Sequence, residues 1–231
     1  MREIALDTET TGLDPLDGHR LVEIGGIELV NRIPSGQSFH RYFNPRRSMP
    51  AEAFAVHGLS EEFLKDKMFF EEVADELLAF LGDAPLVIHN AAFDLGFLNA
   101  ELDRAGRPPI GRERVVDTLL IARRKHPGGS NRLDDLCVRY AIDNSRRTKH
   151  GALLDAELLA EVYVELIGAR QAQLVLSQSA MPDHLRGEPI IVRQRPVPLV
   201  ATVTAEERAA HRAFVATLGG NAIWNDYVSS G

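Results

Sequence analysis

Three apolar runs constrain this chain more than any other feature: Ile4 to Leu6, Pro85 to Ile88, and Val115-Val116. Each is too short for a core helix and lacks the alternation of a half-exposed strand, so each reads as a strand buried on both faces. Between the first two, Leu21 to Val30 and Gln37 to Phe43 flank Asn31-Arg-Ile-Pro-Ser-Gly, a turn signal, and form a hairpin. A hairpin followed by alternating helices and buried strands implies an α/β fold. Its mixed five-stranded sheet starts as an antiparallel meander, continues with parallel strands and is flanked by helices.

The helical stretches fit that layout. Pro50 to His57 forms a short helix, and Ser60 caps another with Glu61 and Glu62 in its first turn. Phe70, Val73, Ala74, Leu77, Leu78 and Leu81 line one face of a helix ended by Gly82. Ala92 to Ala105, Leu133 to Tyr140 and Gly151 to Ile167 are further helices, and Asp117-Thr118 leads into another. After Gly168 the texture changes. Residues 1–168 form one domain, and 169–203, with Pro182, Pro189, Pro196 and Pro198, form an extended linker. Residues 204–231 form a helix and tail, opened by Thr204 and Glu207 in capping-box spacing. A lone helix of this length is marginal in water, so the tail docks onto something.

Bulk properties exclude several classes. With 231 residues and a net charge of -7, no basic surface grips long duplex by charge alone. The single cysteine, Cys137, forbids an internal disulfide or a cysteine-built zinc cluster and reads as a small core residue. The N-terminus lacks the apolar stretch of a signal peptide, and no run has membrane-spanning length. A cytoplasmic protein without membrane contact is expected.

The chemistry sits in three phrases: Asp7-Thr-Glu-Thr-Thr-Gly-Leu, Asn90-Ala-Ala-Phe-Asp-Leu-Gly-Phe-Leu and His150-Gly-Ala-Leu-Leu-Asp-Ala. Asp7 and Glu9 are two apart at a strand end, so both carboxylates face one side. Two acids this close repel unless a cation lies between them. Asp94 falls in the first turn of a helix whose position Phe93 and Phe97 fix. By itself it reads rather as a surface acid favoured by the helix dipole. Parallel pairing of residues 86–88 with the first strand brings it to the edge where open sheets place their sites. His150 and Asp155, five apart, share no helix face. The spacing works with His150 in a loop, free to act as a base, and Asp155 held rigidly in the helix that follows. His19, His40 and His126 read as ordinary surface histidines.

Together these phrases resemble the DEDDh exonucleases, the family with four acidic residues and a histidine in the ribonuclease-H-like superfamily. The resemblance spans residues 1 to about 168. It implies that Asp7, Glu9, Asp94 and Asp155 hold two divalent metal ions, Mg2+ or Mn2+, and that His150 is the base. It further implies that Thr10, Gly12, Leu13, His57, Asn90 and Phe93 contact the terminal nucleotide. For His57 the residues also allow a second reading, a histidine favoured by its position at a helix C-terminus beside Gly58.

The tail phrases Ile191-Val-Arg-Gln-Arg, Ala205-Glu-Glu-Arg-Ala-Ala-His and Gly219-Gly-Asn-Ala-Ile-Trp resemble those of bacterial proofreading subunits. That resemblance implies binding to the alpha subunit of DNA polymerase III, with Phe214 and Trp224 as anchors. It also implies sliding-clamp contact through residues 178–183, although Gln178-Ser-Ala-Met-Pro-Asp lacks the terminal aromatic of the clamp motif. The expected activity is 3′–5′ removal of nucleotides from single-stranded or frayed DNA ends. RNA-end trimming and a non-catalytic adaptor are the alternatives.

Overall fold

The first strand, β1, runs from Arg2 to Thr10, well beyond its apolar run. It is this long because β2 (Leu21–Val30) pairs with it antiparallel along its full length, from Arg2 opposite Val30 to Glu9 opposite Glu23. Those ladder bonds carry Asp7 and Glu9 into regular strand geometry, where hydrophobic pattern alone would have ended it. The computed structural model describes residues 1–147, 149–169, 203–219 and 224. They fall in two units, Met1–Leu174 and Val175–Gly231.

Strand β3 (Ile33–Tyr42) begins four residues earlier than its sequence suggests. Asn31 and Arg32, at φ 52° and 68°, complete the turn by themselves. Ile33 and Pro34 then pair at once with Val30 and Leu29. Pro34 is tolerated because β3 is an edge strand and needs no amide donor on its open side. β4 (Leu86–Ile88) pairs parallel with β1, and β5 (Val115–Asp117) parallel with β4, giving the order β3-β2-β1-β4-β5.

Among the described residues of this unit there are seven α-helices: α1 (Ala51–His57), α2 (Glu61–Leu64), α3 (Phe70–Leu81), α4 (Ala91–Arg104), α5 (Thr118–Lys125), α6 (Leu133–Tyr140) and α7 (Ala152–Leu166). Strand alternation sorts β1 between two cores. Ile4 and Leu6 are fully buried in the cluster that includes α3 and α4, and Ala5 is buried in the cluster that includes α7. Cys137 is buried in a third cluster with Leu136, Leu158 and Val162.

Gly25, opposite Asp7 on β2, sets how closely α7 approaches the sheet. A Cβ there would lie 2.3 Å from the Ala152 carbonyl carbon. Only glycine lets the first turn of α7 settle beside Asp7.

In the second unit, α8 (Ala205–Thr217) starts with the expected capping box. The Glu207 amide donates to Thr204 Oγ1 at 3.2 Å, and the Thr204 amide donates to Glu207 Oε2 at 2.7 Å. Phe214 and Trp224 are exposed, and the Trp224 ring meets His211 edge-on at 5.4 Å. The segment 178–183 and the proline-rich stretch lie outside the described residues. No helix among the described residues is long and apolar enough to cross a membrane.

Candidate active site

Alternation along β1 distributes the site between the two faces of the sheet. Asp7 and Glu9 follow Ala5 on the face toward α7. Thr8 follows Leu6 on the face toward α4, where its hydroxyl donates to Asp94 Oδ1 at 2.7 Å. Asp94 lies in the first turn of α4 and is buried, so it is not a surface acid. Parallel β1 and β4 end at the same edge, which is why a residue just after β4 reaches the end of β1.

The start of α4 is held by a residue whose role the sequence left open. Asp117, at the end of β5, accepts from the Ala91 amide at 3.2 Å through Oδ2 and from the Leu119 amide at 2.9 Å through Oδ1. One carboxylate thus pins two helix N-termini. Asn90 enters α4 in the left-handed region, at φ 65°.

Asp155 sits in the first turn of α7 and is buried, and His150 precedes that helix in an exposed loop. Their closest atoms, His150 Nδ1 and Asp155 Oδ2, are 3.3 Å apart. Glu9, His150 and Asp155 each offer a ligand atom within 4.8 Å of the others.

The electrostatics record the crowding. Burial, then Asp94 and Glu9, raise the Asp7 carboxyl well above the ordinary carboxylate range. Burial, then Asp155, push Glu9 up to about 8. Burial lifts Asp94 to about 7 against the stabilising Thr8 hydroxyl. Asp155 goes the other way. Burial works to raise it, but the neighbouring His150 and the bonds from Arg147 outweigh that and hold it below the usual range. Arg147, on the loop before α7, grips both Asp155 oxygens, at 2.6 and 2.7 Å.

A cleft of about 600 Å³ opens at this edge. Thr10, Gly12, Leu13, His57, Asn90 and Phe93 all line it, together with Asp7, Glu9, Asp94 and His150. Leu13 projects into solvent at 86% exposure, whereas His57 is buried and its Nδ1 accepts from the Leu59 amide at 3.0 Å. His57 therefore has both the helix-end position and the cleft position considered for it. A second cleft shares Asp7, Asn90 and His150 with the first and adds Asp155.

Three residues of these clefts had no part in the sequence reading. Thr8 was passed over because a threonine between two acids looks like strand filler. His89, half-buried and bonded to Thr118 and the Asn131 carbonyl, lines both clefts. Arg147 had no signal beyond its place in a basic run. His19, read as ordinary, also lines the first cleft and lies 3.2 Å from Thr11 Oγ1.

A buried, oxygen-rich donor set with one imidazole, on the carboxyl edge of a mixed sheet, is suited to divalent metal ions and so to a metal-dependent hydrolase. The comparisons agree. The profile of an exonuclease family, described as RNase T, matches residues 4–163. The epsilon subunit of DNA polymerase III from Rickettsia conorii is 48% identical over 222 residues, covering 94% of this chain and 96% of the relative. The Escherichia coli epsilon subunit is 46% identical over 236 residues, covering 96% and 97%.

Solved structures share the fold. The nuclease domain of 3′hExo, a DEDDh family member bound to rAMP, superposes with a TM-score of 0.60 at 16% identity, covering 73% of this chain and 92% of that one. Exonuclease X in complex with 5′ overhanging duplex DNA gives 0.54 at 24% identity, covering 73% and 91%. The chain belongs to the exonuclease family, and relatives that match it over nearly its whole length include DNA polymerase III epsilon subunits.

Proposed function

We propose that this chain is a 3′–5′ exodeoxyribonuclease that proofreads DNA synthesis in the cytoplasm, releasing nucleoside monophosphates from a single-stranded or frayed 3′ end. One observation carries the reading: Asp7, Glu9, Asp94 and Asp155, from three distant segments, meet beside His150 at the edge of a nucleotide-sized cleft. Asp7, Glu9, Asp94 and Asp155 would hold two divalent ions, Mg2+ or Mn2+. When bound, these ions supply Lewis-acid activation of water and charge neutralisation at the scissile phosphate.

The protein's own groups do the rest. His150 takes the proton of the attacking water at a ring nitrogen while the bond from phosphorus to the 3′ oxygen of the upstream nucleotide breaks. Its loop lets it exchange that proton with solvent. Leu13 wedges against the bases, Thr10 and Gly12 offer backbone and hydroxyl contacts, and His57, Asn90 and Phe93 wall the terminal nucleoside. A mispaired end enters more readily because less pairing energy is lost when it frays. The tail, with exposed Phe214 and Trp224, binds the alpha subunit of DNA polymerase III. Residues 178–183 offer a further contact to the sliding clamp.

Full-length protein is assayed with Mn2+ on 3′-labelled single-stranded DNA and on RNA of the same sequence. Monophosphate release from DNA that stops with chelator supports the reading, and preference for RNA overturns the substrate. His150→Ala should lower the rate by ~10²-fold or more, as loss of a general base does. A rate within a few fold of wild type, with chemistry rate-limiting, removes His150 as the base. A pull-down of polymerase alpha subunit by the full chain, lost in Trp224→Ala, tests the tail.

A further inference from the structure

Arg147 makes a set of contacts that the nuclease reading leaves unexplained. It sits on the loop between α6 and α7, yet its side chain is only 6% exposed. Nε and Nη2 donate to the two oxygens of Asp155 at 2.6 and 2.7 Å. Nη1 donates to both oxygens of Asp134 at 2.6 Å, and Nη2 also reaches His150 Nδ1 at 2.7 Å. A guanidinium presents its donors in a fixed plane, so this one cation spans two carboxylates and the proposed base.

The placement conflicts with a divalent ion on the same group. The fork takes up both Asp155 oxygens, and the same Nη2 meets the Nδ1 lone pair of His150. A metal ion drawing on Asp155 would sit at contact distance from a second positive charge in a mostly buried site, where repulsion is weakly screened. Arg147 has a second anchor when it leaves. Asp134 is half exposed and tolerates the move in water.

We infer that Arg147 is a tethered counter-cation that holds Asp155 and His150 until a divalent ion displaces it, so that metal loading and release of the base are one event. Arg147 is thereby a positioning residue rather than a catalytic one. The inference rests on the metal reading above and adds to it a competitor encoded in the chain.

The test is calorimetric titration of Mn2+ into the full chain, as wild type, Arg147→Gln and Arg147→Lys, beside melting curves with and without Mn2+. Removing a charge-assisted fork that the metal must displace should tighten the weaker Mn2+ step by about tenfold in Arg147→Gln, with Arg147→Lys between. The melting temperature of Arg147→Gln should fall without metal and match wild type when saturated. If that variant does not fold, Arg147→Lys keeps the cation but loses the planar fork, and should tighten Mn2+ by a smaller factor. Unchanged or weaker Mn2+ binding in the variant tested, with wild type binding normally, overturns the latch alone. Wild type that takes up no Mn2+ overturns the metal reading and the latch together.

Discussion

On the sheet side of the cleft, Asp7, Glu9 and Asp94 crowd together, and a neutral hydroxyl from Thr8 reaches Asp94. On the helix side, Asp155 carries a guanidinium fork and a nearby imidazole. The first group has carboxyls pushed upward by burial and mutual repulsion, and the second has one held down by hydrogen bonds. Two halves of one site thus handle negative charge in opposite ways. Asp7 and Glu9 are fixed two apart on one strand and cannot separate to relieve repulsion, so this half depends on an external cation or on protons. The loop before α7 can supply an internal cation and withdraw it.

The largest effect should come from deleting a proposed metal ligand on the sheet side. Asp7→Ala, or chelator on the wild type, should lower exonuclease rate by ~10³-fold or more, measured on labelled single-stranded DNA. A rate within a few fold of wild type would end the two-metal assignment.

Next in size is the pH dependence of stability without metal. Glu9 and Asp94, raised to about 8 and 7, hold protons in the folded state at pH values where the unfolded chain has lost them. Stability should therefore fall as pH rises from the ordinary carboxylate range, about 4, toward 8. Asp155, with its carboxyl lowered, contributes stability that disappears only in acid. Melting curves across this range should slope downward in chelator and flatten with saturating Mn2+. A flat chelator series would mean that the sheet-side acids are not under the strain described.

A smaller effect separates ligand from support. Thr8→Val keeps the shape but leaves Asp94 without its hydroxyl, and should weaken Mn2+ binding about tenfold. Unchanged affinity by calorimetry would show that α4 alone orients Asp94.

The smallest change is expected at the rim. Leu13→Ala, at an exposed residue, should leave the melting temperature unchanged and raise KM roughly tenfold with kcat nearly constant. A drop in kcat alone would mean that Leu13 aligns the scissile bond rather than holding the base.

Much of this was readable from residue order. Apolar runs and helix periodicity located five strands and the helices, since burial on one or two faces imposes its period on sequence. The start of β3 was misplaced because Pro34-Ser-Gly36 looks like a turn, and only its edge position makes it a strand. The acids that line the clefts were legible because each sits in a local phrase. Thr8, His89, Asp117 and Arg147 were not, because their partners lie in other elements.

Sequence by itself determined that β1 carries two acids on one side, that a helix begins near Asp94, and that His150 and Asp155 straddle a helix start. These follow from local periodicity and capping. Tertiary structure alone decided that the three segments meet. Parallel β4 brings Asp94 to the end of β1, and the missing Cβ of Gly25 lets α7 bring Asp155 beside Asp7. Through-space packing also set which acid is repelled and which is paired. Charge acts over ångströms, and neighbours along the chain do not reveal it.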